Sequence, residues 1–350
     1  MISIQEFVQR RSKLLAQLDN HSVAIIPAAV EITRSRDTEF PFRQDSDFFY
    51  LTGFKEPDAV LVLSKDKQGE GKSTLFCRNK DKTAEIWHGR RVGYESAKSD
   101  YLFDETHPLS ELDDELLQLV NGNRTLFYAQ GTYSAFDDKV WALLNTLRGA
   151  PKKGYRAPEI IKDTRPLIHE MRLFKSDAEI AVMRKAGQIS AEGHVRAMQF
   201  AKPDATEYQL EAELHHHYAM NGARYPAYGT IVGSGNNANI LHYTENSDTL
   251  KAGDLVLIDS GCELEGYAAD ITRTFPVSGK FSEPQKTIYE LVLKAQAAAF
   301  EHVKPGGTLV AANKAVMTVM TQGLIELGIL SGELDTLVEK QACKAFYMHG

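Results

Sequence analysis

Two acids stand where apolar residues would fit. The aliphatic run Leu255-Val256-Leu257-Ile258 reads as a buried β-strand but ends on Asp259, and eleven positions later Asp270 sits among Tyr267, Ala268, Ala269 and Ile271. Between the acids, Glu263-Leu264-Glu265-Gly266 has turn composition with a glycine near its end. A hairpin folded about Leu264-Glu265 sets Asp259 directly opposite Asp270 and Gly261 opposite Ala268. Opposed residues share a face, with Cβ atoms roughly 4.5–5.5 Å apart. Two carboxylates so placed are costly, because repulsion and burial both disfavour ionisation. Three arrangements relieve the cost: a shared proton, a base such as Arg273, or divalent cations bridged by a carboxylate. The third asks for more oxygen or imidazole ligands and a proton shuttle.

His242 is the nearest candidate, between an apolar strand and the aspartate hairpin. The glycines of Gly233-Ser234-Gly235 resemble a phosphate loop, but no Gly-Lys-Ser/Thr follows and no helix pattern opens there, which argues against a nucleotide. His215-His216-His217 lies on a predicted helix, where adjacent side chains point in different directions, so it does not read as a metal site.

Around these residues the pattern is mixed. Up to about residue 160 it predicts an α/β unit: an amphipathic helix over 4–18, strands at 23–27, 61–63, 74–77 and 125–128, and a helix over 109–120. Gly149-Ala150-Pro151-Lys152-Lys153-Gly154, or the segment from there to Arg172, is the linker candidate. The domain expectation is 1–165 and 172–350. In the second part, helices are predicted over 176–198 and 206–221, each opened by capping-box spacing. Strands then dominate to Pro276, and helices return at 283–302 and 308–327.

The 350 residues carry a net charge of -7, which argues against nonspecific nucleic-acid or anionic-membrane binding. No apolar run approaches the ~18 residues of a membrane span, and no secretory signal pattern opens the chain. Cys77, Cys262 and Cys343 are too scattered for a disulfide framework or a CxxC metal pair and read as reduced, buried thiols in a cytoplasmic protein.

Three segments carry a resemblance: "TIVGSGNNANILHYTEN", "LVLIDSGCELEGYAADITRTFPVSGKF" and "HEMRLFKSDAEIAVMRKAG". Together they resemble the aminopeptidase P (Xaa-Pro aminopeptidase) family of pita-bread metallopeptidases. "TRSRDTEFPFRQDSDFFYLTGFKEPDAVLVL" and "TAEIWHGRR" are similar to that family's N-terminal domain. The resemblance covers essentially the whole chain. It implies an α/β N-terminal domain and an α+β pita-bread (creatinase/aminopeptidase-like) C-terminal domain, the latter incomplete.

It also implies two divalent ions, manganese first among them, activating water against the carbonyl that precedes proline. Asp259 and Asp270 match two of five protein ligands. His242 matches a histidine beside the scissile bond, and Tyr228 a pocket-lining tyrosine. His349 matches a substrate-pocket histidine, while Asp37 and Trp87 resemble N-domain residues that line the pocket of the same or a neighbouring subunit. The remaining His and two Glu ligands are expected beyond Gly350, so weak or absent catalysis is expected of a chain that stops there. Implied partners are peptides beginning Xaa-Pro and further copies of the chain in a dimer or tetramer. The competing expectations are a prolidase-type dipeptidase and a non-catalytic peptide- or protein-binding module.

Overall fold

The computed structural model describes residues 2–348. His349, expected to line the substrate pocket, therefore lies outside the described residues. The chain divides into two compact units, Met1–Val182 and Met183–Gly350, the division falling inside the long helix Asp177–Phe200.

The first unit is built on a mixed sheet. Its strands, in spatial order, are Glu105–Pro108, Gly71–Cys77, Val60–Lys65, Ser22–Pro27, Thr125–Tyr128 and Ile160–Lys162. The last of these lies beyond 149–154 yet pairs in parallel with Thr125–Tyr128, so that basic, Pro/Gly-punctuated stretch is a turn within the unit. Side chains alternate across the central strand, as the two-residue strand period requires. Ala24 and Ile26 pack with Leu14, Phe48, Leu51 and Phe54 from the helices Ile4–Gln17 and Ser46–Thr52 and the turn that follows them. Val23 and Ile25 pack on the other face with Leu116 and Leu144, from the helices Leu112–Val120 and Ser134–Gly149. This is the expected α/β layering.

Two arginines are buried beside that core. Arg10 reaches Glu6 at 2.6 Å, Glu179 at 3.4 Å and the Tyr50 carbonyl at 3.1 Å, and its guanidinium lies 4.2 Å from the Tyr50 ring centre. Arg11 donates to the carbonyls of Leu51, Tyr101 and Leu102. Burial pulls its pKa down to about 10, against the opposing pull of Asp104.

In the second unit, Leu210, Leu214 and Tyr218 of the helix Glu207–Met220, with Ala186 and Ile189 of the long helix, form a core with Val256 and Ile258. Thr206 and Gln209 close a capping box at the start of the shorter helix, as predicted. The strands Ile231–Ser234, Leu255–Asp259 and Thr272–Pro276 make an antiparallel sheet, and Cys262–Leu264 pairs with Tyr267–Ala268 and with Tyr225–Pro226. The helices Glu283–Phe300 and Leu309–Glu326 pack through Leu291, Ala295, Met320 and Leu324. All three cysteines are buried and unpaired. Among the described residues no helix is long and apolar enough to cross a membrane.

The aspartate hairpin turns at Glu265-Gly266, two residues with positive φ of 51° and 83°, the requirement of a type I′ turn. Glu263 therefore stands opposite Ala268, and Asp259 opposite Thr272. The expected register, with Asp259 facing Asp270, is off by two residues. Because the shift is even, both acids stay on one face, as diagonal neighbours.

Candidate metal centre

Asp259 ends a strand whose burial alternates. Val256 and Ile258 face the helices, while Leu255, Leu257 and Asp259 take the less buried face. The aliphatic run suggested burial on both sides; only one side is covered among the described residues, and Asp270 is exposed. What brings the acids together is Tyr228, from the segment before the Ile231–Ser234 strand. Its phenol oxygen lies 2.5 Å from Asp259 Oδ1 and 3.1 Å from Asp270 Oδ1. Burial, then the hydrogen bond to Asp259 and the negative charge of both acids, pushes the Tyr228 pKa up, so the phenol keeps its proton. That single proton serves two carboxylates.

The backbone between the acids is fixed from below. Ser260 is fully buried. Its hydroxyl accepts from Tyr218 Oη at 3.0 Å and lies 3.1 Å from Thr230 Oγ1, which His215 Nε2 reaches at 2.8 Å. Its carbonyl accepts from His194 Nε2 at 3.0 Å, which places the ring proton on that nitrogen. Burial holds the His194 pKa below its ordinary value, so the ring is neutral. At Gly261, a Cβ would sit 1.8 Å from the Ala269 carbonyl oxygen, so only glycine lets the two strands meet here. These buried supports were not singled out in the sequence, because each comes from a distant segment.

No Lys, Arg or His of the described residues forms an ion pair with Asp259 or Asp270. Arg273, the base considered above, donates instead to the Thr272 carbonyl at 2.7 Å. Three hard oxygens converging without a countercharge fit a divalent cation in donor type and in charge.

The other expected residues are placed separately. His242 is in an exposed turn after the 3₁₀ helix Gly235–Asn239 and forms no hydrogen bond to either acid. Asp37 lies in the exposed turn between the short strands Thr33–Ser35 and Thr38–Glu39, and Trp87, 78% exposed, is on the helix Lys82–His88. The histidine run diverges as predicted: His215 turns to Thr230, while His217 approaches Glu192 at 3.4 Å. Among the described residues, the group of three potential ligands that does form, His107, Glu111 and Glu115, is in the first unit and includes neither aspartate.

A mixed α/β unit is followed by an acid-bearing antiparallel hairpin packed on helices, an order consistent with a two-part enzyme carrying a metal site in its second part. Family models match accordingly, the aminopeptidase P N-terminal domain over residues 7–128 and metallopeptidase family M24 over 181–350. The Xaa-Pro aminopeptidase of Escherichia coli K12 is 49% identical over 349 residues, spanning 100% of this chain and 79% of that protein. That of Haemophilus influenzae is 45% identical, spanning 99% of this chain and 78% of the relative. A zinc-substituted E. coli aminopeptidase P in complex with product superposes with a TM-score of 0.98 at 49% identity, covering 100% of this chain and 79% of that one. The chain belongs to the Xaa-Pro aminopeptidase family.

Proposed function

We propose that this site removes the N-terminal residue from peptides with proline in second position. The observation that carries the reading is the convergence of Asp259 and Asp270 on one phenol oxygen, with no ion pair to a basic side chain among the described residues. In this reading the two carboxylates would hold two divalent ions, manganese first among them, together with the family's His and two Glu. When bound, the ions supply Lewis acidity and a nucleophile active at neutral pH.

The chain's own groups do the rest. Tyr228 keeps the carboxylates aimed at one point and lines the pocket. His242, free to donate, hydrogen-bonds the scissile carbonyl as charge develops on its oxygen. His349 contacts the substrate, and the expectation that Asp37 and Trp87 line the pocket of the same or a neighbouring subunit belongs to this reading. Proline is singled out because an Xaa-Pro bond lacks the N–H that other peptidase clefts read, and because proline holds the residue before it extended. Zinc substitution is a property of the E. coli relative and supports a bound metal in this reading. Cytoplasmic location and assembly into a dimer or tetramer belong to the same reading.

The test is an assay with manganese, in protein carrying the full set of five ligands, on an Xaa-Pro-Yaa tripeptide and an Xaa-Pro dipeptide. Release of the first residue from the tripeptide is expected. Cleavage of the dipeptide alone would make the protein a prolidase, and cleavage of neither would refute the proposal.

A further inference from the structure

Glu207 has no solvent exposure, touches neither aspartate and forms no ion pair with a basic side chain of the described residues. Its two oxygens instead accept five hydrogen bonds from within the segment 234–248. Oε1 receives the Ser234 N–H at 2.7 Å, the Ser234 hydroxyl at 2.8 Å and Asn237 Nδ2 at 3.2 Å. Oε2 receives Tyr243 Oη at 2.7 Å and the Asp248 N–H at 3.0 Å. Burial alone would push this carboxyl up, but the donors of Ser234, Tyr243, Asp248 and Asn237 outweigh it and hold the pKa below the ordinary glutamate value.

The donors bracket His242 on both sides. Tyr243, its neighbour, is 5% exposed. The Tyr243 hydroxyl is saturated, since it also accepts from Asn237 Nδ2 at 3.0 Å and the Ser247 N–H at 3.3 Å. Asn246 fastens the far end of the loop, accepting the Val232 N–H and donating to the Thr230 carbonyl, both at 2.9 Å. The near end leaves a strand whose Ile231 stands opposite Asp259. A Cβ at Gly233 would come within 2.9 Å of the Asn237 and Ala238 backbone, so the loop is pressed onto that strand. A charged, wholly buried hub thus fixes the backbone on either side of an exposed histidine.

We propose that Glu207 is a positioning residue, setting the 235–247 loop so that His242 is held at the Asp259/Asp270 edge. This rests on the reading of His242 as the group that meets the substrate. Glu207→Gln keeps the volume but turns an amide NH₂ toward donors, leaving the loop without a fully accepting partner.

The experiment combines two readouts. In protein carrying ¹³C-labelled histidine, with the His242 signals assigned from His242→Ala, Glu207→Gln is expected to shift or broaden the His242 ring signals and to leave those of His107 in place. In protein carrying all five ligands, with manganese and an Xaa-Pro-Yaa peptide, kcat is expected to fall roughly 10- to 100-fold with KM within about threefold, the scale of a misplaced catalytic contact. In a His242→Ala background the same substitution is expected to cost less than about twofold in kcat, because both changes act through one group. Equal losses in the two backgrounds, or unmoved His242 signals, would overturn the proposal. If His242→Ala is as active as the parent, the substrate-contact reading fails, and the ring signals alone decide whether Glu207 positions the loop. Should Glu207→Gln not fold, Tyr243→Phe removes a single hydroxyl beside His242 and must move the same signals; if it does not, the proposal falls.

Discussion

Arg10 and Asp259 each carry charge in an apolar setting, one in each unit of the chain, and their surroundings differ in kind. Arg10 is enclosed by its own answers: two carboxylates, a backbone carbonyl and an aromatic face. Asp259 and Asp270 have one phenol proton between them and no basic partner among the described residues. A buried charge that serves the fold comes with its counter-charge, because an unpaired one is expensive. Charge that the fold leaves without a counter-charge marks the place where a ligand completes the structure. Glu207 is the intermediate case, an anion satisfied wholly by dipoles.

The comparison can be broken most sharply at Asp270. Asp270→Ala is expected to weaken manganese binding by at least about 100-fold, since even outer partners of metal ligands matter at the 10- to 100-fold level. Tight two-site binding by that variant in a calorimetric titration would show that the acid pair is not the metal's anchor. Arg10→Ala is expected to cost about 3–5 kcal/mol in denaturant unfolding, because buried Glu179 and half-buried Glu6 both lose its charge. Manganese affinity should be untouched; a parallel loss of metal would blur the distinction between the two kinds of charge.

Tyr228→Phe removes the proton that the two acids share. It is expected to destabilise the metal-free protein by about 1.5–3 kcal/mol, the scale of a hydrogen bond to a charged group. Added manganese should shrink that difference, as a cation takes over the same oxygens. Thermal melts with and without the ion check this, and a difference indifferent to manganese counts against a shared site.

The smallest effect concerns acid. The Glu207 pKa is lowered in the folded state from an ordinary value of 4.5, so its stabilisation is present above that value and is lost as pH falls through the folded one. The stability gap between wild type and Glu207→Gln should therefore be constant near neutrality and narrow below about pH 4.5. A gap that widens on acidification would mean that the carboxylate is not the stabilised form.

Much of the architecture was legible because it depends on local periods and caps. The helix predicted over 206–221 appears as Glu207–Met220 with its Thr206 capping box, and the predicted strands at 23–27, 61–63, 74–77 and 125–128 all lie in the N-terminal sheet. Helices such as Ser46–Thr52 and Ser134–Gly149 were not singled out. The first is only two turns, and its burial comes from packing under the Ile4–Gln17 helix rather than from its own pattern. The hairpin's position was misread by two residues because glycine was placed at the turn's edge, whereas Gly266 occupies a positive-φ position inside it.

By itself, then, the sequence determined that Asp259 and Asp270 share a face. A strand repeats every two residues, and any even slip preserves that relation. Tertiary structure alone decided what the acids meet there. Tyr228 is 31 positions from Asp259, and Glu207 is 36 from Tyr243. No local periodicity encodes such pairings; they exist only once the Ile231–Ser234 and Leu255–Asp259 strands pair and the Glu207–Met220 helix packs with them, bringing distant segments to hydrogen-bonding distance.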